Sequence, residues 1–517
     1  MRPVTGYVLL WTLLLTACIP AASPAVLSPT PLLVTPNPNA TLTPTPFRPA
    51  PTAAPAFLTL SPTQTPSLPT LTPINTPPSQ PMGVRPHYTF YVNLDYHTHQ
   101  VAVQQVIQYP NQSGIPLDKL VLSVQPNLWP GCFTLSSLTQ NDLPLTATLE
   151  GQRMDVALLQ PLQPGETVIL ALGYQLDLPP KKFEGTFGFL GYQLNLTNWY
   201  PFVVPYDSRQ GWVLHDPWPF GEHLVYDAAD FDVYLQLAQG SEDVIIAASS
   251  PGVAENGWLH YHLEGARTFV LSASDQFKIA ESALGSIPIR SYYFGKQGAG
   301  ERLASTATQA LAIFQSRFGQ YPYPSLSIVA TESPDGQEFD GLVFLSEEFY
   351  EQYQGGIKNN LVSIGVHEVA HQWWFGLVGN DQALEPWLDE ALATYSERIF
   401  YEYYDLTNWW WGFRVNYFSP AGWVDTNIYD GIAFRPYTNA VYLRGAKFME
   451  ALRLRIGDEA FFAFLKDYTS RYARRRATGI DFFAVLHEHT QADISDIVDA
   501  YFKNRPCCHP QAPLTLP

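Results

Sequence analysis

The stretch His367-Glu368-Val369-Ala370-His371, followed nineteen residues on by Glu390 in Trp387-Leu388-Asp389-Glu390, decides the reading of this chain. On a helix, positions i and i+4 share a face, so both imidazoles reach one ion with Glu368 beside them. Two neutral ring nitrogens and one carboxylate leave the fourth position of a tetrahedral zinc open to water, as a catalytic site requires. The flanks, residues 361–366 and Trp373-Trp374-Phe375, are strongly apolar. Burying two histidines and a glutamate among them without a metal would be costly. Glu390, at the start of a second helix, completes the set.

Outward from that pentad, the sequence after Tyr292 has a helical period. Residues 301–318 place Leu303, Ala307, Ala310 and Phe314 on one face, and Gly319 ends the run. Short strands are expected at 325–330 and 342–345. Helices are expected over the pentad, over 388–401, and from Arg444 and Phe461. Residues 289–503 therefore read as a mixed, mainly helical catalytic domain. Before it, residues 87–288 show short alternating runs at 145–150, 167–172 and 231–237, separated by Pro, Gly, Asn and Asp. That pattern predicts an antiparallel, all-β sandwich-like domain. Residues 199–222, dense in Trp, Tyr and Pro, read as inter-domain packing or as a wall beside the cleft.

Residues 18–86 read as an extended tether: 19 of the chain's 45 prolines fall between Pro20 and Pro86, with Arg48 and Arg85 as the charged residues. Residues 1–17 read as a signal peptide, with Arg2 ahead of an apolar run at 7–15 that is too short to span a bilayer as a mature helix. It ends in Leu15-Thr16-Ala17-Cys18, which resembles a bacterial lipobox and predicts lipid on Cys18. The expected location is the bacterial cell envelope, outside the cytoplasm and anchored to a membrane.

With 517 residues, two or three domains are expected. A formal net charge of -18 argues against nucleic acid as a partner, because phosphate binding wants a basic surface. Cys132, Cys507 and Cys508 make no disulfide framework and are not read as zinc ligands; residues 504–517 are a short tail.

The spacing from His371 to Glu390 resembles that of the M1 family of zinc aminopeptidases, whose third ligand follows the pentad after eighteen intervening residues. The chain matches the family's aromatic continuation in Gln372-Trp373-Trp374-Phe375-Gly376. It matches the third-ligand segment in Trp387-Leu388-Asp389-Glu390-Ala391-Leu392-Ala393, where Ala-Leu replaces the usual Gly-Phe. The resemblance implies a thermolysin-like catalytic domain and one zinc ion held by His367, His371 and Glu390, with Glu368 as general base. It also implies Tyr442, in Val441-Tyr442-Leu443-Arg444-Gly445-Ala446, as the oxyanion donor. Arg435 and Tyr437 are candidates for the same cleft. The family's Gly-x-Met-Glu-Asn segment corresponds to 335–339, so Glu338 would grip a substrate's free amine, with Gln337 and Phe339 replacing Met and Asn. Glu397, two turns beyond Glu390, is a candidate partner for a ligating imidazole or plain surface charge.

The expected function is removal of N-terminal residues from peptides by metal-activated water. Large family members continue into a helical C-terminal domain; this chain is expected to be a short form without it, with a more open cleft. Two alternatives go with that expectation: a zinc endopeptidase with an open cleft, and a surface-tethered binding protein without activity.

Overall fold

Alternation with period two dominates the first part of the folded chain. The computed structural model describes residues 85–180 and 185–505; the signal segment, Cys18, nearly all of the tether, Cys507 and Cys508 lie outside the described residues. Strand His87–Asp95 buries Tyr88, Phe90, Val92 and Leu94 and turns the residues between them outward. Gln100–Pro110 and Thr167–Asp177 repeat the pattern. These strands join an eight-stranded sheet ordered Gly252–Glu255, Trp258–Ala266, Ala229–Leu237, His87–Asp95, Gln100–Pro110, Thr167–Asp177, Phe133–Gln140 and Leu143–Pro144. The expected antiparallel pairing holds throughout it except once, where His87–Asp95 runs parallel to Ala229–Leu237. Two four-stranded sheets and a two-stranded one, Tyr206–Asp207 with Gly211–Trp212, complete the all-β domain.

The hairpin Lys278–Leu284 and Ile287–Tyr293 is hydrogen-bonded into the sheet of the catalytic part, ordered onward through Leu326–Thr331, Leu342–Ser346 and Gly336–Phe339. Gly336–Phe339 is the edge strand, antiparallel to Leu342–Ser346. Helix Gln297–Phe318 packs against this hairpin and against the helix that carries the pentad.

That motif helix, Asn360–Ala370, starts where the Asn359 side chain accepts the Val362 N–H at 3.0 Å. From Leu361 to Ala370 every residue is buried. Gly365 offers no side chain where a Leu303 methyl packs, and this lets the two helices close on each other. The ligand helix, Trp387–Glu402, lies against the motif helix.

The expectation of a shortened chain without a helical C-terminal domain is corrected here. Helices run from Gln297 to Tyr501, and those after Glu402 include Gly445–Ile456, Asp458–Arg471, Gly479–His489 and Ser495–Tyr501. Phe448, Phe482, Phe483 and Phe502 converge on Trp387 at the start of the ligand helix. The expectation counted only the residues beyond Phe502, whereas this substantial domain lies within 297–501 and builds the back of the site. A cleft opened by a missing domain falls with it. Among the described residues no helix is long and apolar enough to cross a membrane.

Candidate metal centre and substrate cleft

The motif helix ends at Ala370, but His371 keeps helical dihedrals as its cap, so the i, i+4 relation to His367 survives. The ligand helix brings Glu390 to the same point from its first turn. His371 Nε2 lies 3.1 Å from His367 Nε2. Glu390 Oε2 lies 3.2 Å from His367 Nε2 and 3.5 Å from His371 Nε2. Ligand atoms about 2.0–2.1 Å from a tetrahedral zinc stand roughly 3.3 Å apart, so these three atoms are spaced as one ion's ligands.

Both imidazoles have their lone pairs turned inward. His371 Nδ1 lies 2.8 Å from the Trp374 carbonyl, to which only an N–H can donate. His367 Nδ1 is likewise 3.0 Å from Glu397 Oε1. Two Nε2 lone pairs facing each other at hydrogen-bond distance need a cation between them. The donor set of two imidazoles and a carboxylate suits zinc. His367, His371, Glu368 and Glu390 are all buried.

Glu397 is fully buried and belongs to the site, not to the surface. Ser363 Oγ donates to its Oε2 at 2.6 Å, Trp410 Nε1 at 3.0 Å, and Arg414 Nε reaches both oxygens at 3.1 and 3.0 Å. Burial opposes its charge, yet Arg414 and His367 hold its carboxyl down at about 2. Arg414 and Tyr442 each sit in a short π-helical segment, Trp411–Val415 and Asn439–Arg444. Such widened turns often re-aim functional side chains. Neither the Arg414 contact nor the role of Trp410 was legible in the run Trp409-Trp410-Trp411. A single substitution tests the support given to the metal: Glu397→Ala weakens zinc binding about 10–100-fold, read by competition with a chromogenic chelator. Unchanged affinity would make Glu397 a packing residue.

Around this centre the cleft is lined by carboxylates. Burial pushes the Glu368 carboxyl up to about 8, against the pull of His367 and His371. Its Oε2 has no hydrogen-bond partner among the described residues. Gly336 approaches so closely that a Cβ there would overlap the Glu368 carboxylate, so the glycine within the expected amine-binding segment makes room for the base. Burial likewise raises Glu338, Asp389 and Glu222. Glu390 runs the other way: despite burial, His371 and His367 hold it at about 2.

Glu222 is the main residue that sequence reading missed; its carboxylate comes within 4.8 Å of those of Glu338 and Glu390. It comes from the β domain, in the aromatic stretch 199–222, and no local spacing ties it to the pentad. Tyr442 stacks over His367, with ring centroids 6.1 Å apart and planes 10° from parallel. Tyr437 is fully buried, and its ring stands 6.1 Å from that of Tyr442. Arg435 lies over the Phe418 ring, 4.7 Å from its centroid. Gly445 lacks a side chain where Ala391 of the ligand helix packs, which brings the Tyr442 segment close.

Residues 303–501 match the Peptidase family M1 domain. The chain is similar to Aminopeptidase M1-B of Oryza sativa subsp. japonica, 27% identical over 247 residues, or 44% of this chain and 28% of the rice protein. The match thus spans well under two thirds of that relative's length. In three dimensions it is similar to the M1 zinc metallopeptidase of Deinococcus radiodurans solved in mutant form with a Tyr-Ser-Ala substrate. There the TM-score is 0.60 at 19% identity, covering 82% of this chain and 94% of that one. A two-domain M1 zinc metallopeptidase solved with L-tryptophan gives a TM-score of 0.59 at 19% identity, with the same coverage. These likenesses show the fold. Coverage of 94% of a two-domain structure also overturns the expectation of a truncated form.

Proposed function

We propose that this chain is a zinc metallopeptidase of the M1 type that removes N-terminal residues from peptides. The convergence of His367, His371 and Glu390 at 3.1–3.5 Å carries the reading. A bound zinc would polarise water and the scissile carbonyl. Glu368 takes the proton from water and returns it to the departing amine. The Tyr442 hydroxyl donates to the oxygen that gains charge as the carbonyl is attacked. Glu338 and Glu222 face the substrate's ammonium, whose charge offsets two buried carboxylates. The Tyr-Ser-Ala and L-tryptophan complexes of the two similar structures support a peptide substrate read from its N-terminus. An envelope location with lipid on Cys18 rests on Leu15-Thr16-Ala17-Cys18 alone.

The test is a peptide series with free and acetylated N-termini, assayed with and without a chelator. Cleavage confined to free N-termini and abolished by the chelator is the expected outcome. Glu338→Gln should lower kcat/KM for the free peptides by about 10–100-fold, the worth of one charged contact. Equal cleavage of acetylated peptides would turn the assignment to an endopeptidase and make Glu338 a bystander.

A further inference from the structure

We infer that Gln382 is a positioning residue for substrate-amine recognition: its amide aims the Glu338 carboxylate without neutralising it. The inference rests on the aminopeptidase reading above and concerns a residue between the two metal-binding helices that no motif singles out.

Gln382 is buried, and its Nε2 donates to Glu338 Oε1 at 2.9 Å. The loop that carries it is tied down on several sides. Asp381 Oδ2 meets His215 Nε2 of the β domain at 2.8 Å. The Asp381 carbonyl accepts the Glu385 N–H at 2.8 Å, and Glu385 Oε1 accepts the Gly479 N–H at 2.9 Å. Behind the loop, Val378–Gly379 pairs with Arg475–Arg476. Gln382 is therefore presented from a fixed backbone.

The strand that bears Glu338 is fixed independently. Gln372 of the segment following the motif helix donates to the Phe339 carbonyl at 2.9 Å and accepts the Gly341 N–H at 2.9 Å. Thr186 holds the neighbouring Gln337 side chain at 2.5 Å. Backbone and flanking side chain are thus set by other groups, and the Gln382 bond acts on the carboxylate itself. The chemistry of the donor matters. An amide orients a carboxylate through one hydrogen bond while leaving its full charge for an incoming ammonium. A lysine or arginine there would occupy the carboxylate as the substrate amine does.

The experiment compares Gln382→Leu and Gln382→Lys with the unaltered full chain on free and acetylated peptides, recording kcat, KM and zinc content. Gln382→Leu should raise KM for free peptides about tenfold, with kcat and zinc content within about twofold. Gln382→Lys should raise KM further, because its ammonium competes with the substrate's. Unchanged KM in both variants would overturn the inference, as would a parallel fall of kcat and zinc content, the mark of a merely structural role. If the unaltered chain cleaves acetylated peptides equally well, the aminopeptidase reading itself fails, and that result is separate from either outcome for Gln382.

Discussion

Glu368→Gln is expected to leave about one zinc ion per chain and to lower kcat by about 10³-fold. The two halves of that outcome come from different atoms. His367, His371 and Glu390 supply the three converging ligand atoms, and none is touched by the change. Among the described residues Glu368 Oε2 is buried without a hydrogen-bond partner, so the change breaks no hydrogen bond made by that oxygen. Burial lifts its proton affinity to about 8 against the pull of the two histidines, and a dication between them would lower it. A carboxylate balanced near neutrality can both take a proton from water and give one to an amine. Glutamine has the same shape and fits the space left by Gly336, but it can do neither. Metal content by atomic emission and steady-state kinetics on one sample check both halves. Full turnover in a pure preparation would refute the general-base role; loss of zinc would instead make Glu368 a ligand.

The metal centre was legible because it is local. A helix turns a four-residue spacing into a shared face, so His367 and His371 needed no tertiary information. Glu390 required only that the next helix pack back, which the apolar flank 361–366 made favourable. Glu397 was legible as a position on the same face as Glu390, but its burial against Ser363, Trp410 and Arg414 was not. That cage is built by a chain reversal and a π-helical segment with no sequence period of its own.

The residues that sequence reading missed come from distant chain. Glu222 reaches the cleft from the β domain, 145 residues before His367 in the numbering. Gln382 reaches Glu338 across 44 residues, from a loop positioned by His215 and Gly479. In the β domain, alternation revealed which residues face inward, but it is symmetric with respect to strand direction. The parallel pairing of His87–Asp95 with Ala229–Leu237 was therefore invisible to it. The C-terminal helices were individually legible from Arg444 and Phe461. They were read as part of one mainly helical domain, but the expectation of a short form did not count them as a helical C-terminal part, whose core is an aromatic cluster around Trp387 assembled from separate segments of the chain.

Tyr442→Phe is expected to lower kcat by about 10²–10³-fold while KM, zinc content and Tm stay close to the original. The ring is buried and stacks over His367, and phenylalanine keeps that packing. Only the hydroxyl is lost. Burial first, then the Glu390 charge, raises this phenol well above the ordinary tyrosine value. A tyrosine is a donor below its pKa, so a raised value keeps the O–H available across neutral and alkaline conditions, and activity should show no loss there from this group. A donor aimed at an oxygen that becomes charged only during attack stabilises the transition state more than the bound substrate. Its removal therefore falls on kcat and spares KM. A drop in zinc content or Tm alongside kcat would reassign Tyr442 to packing against His367, and an unchanged kcat would leave the developing oxyanion to the metal alone.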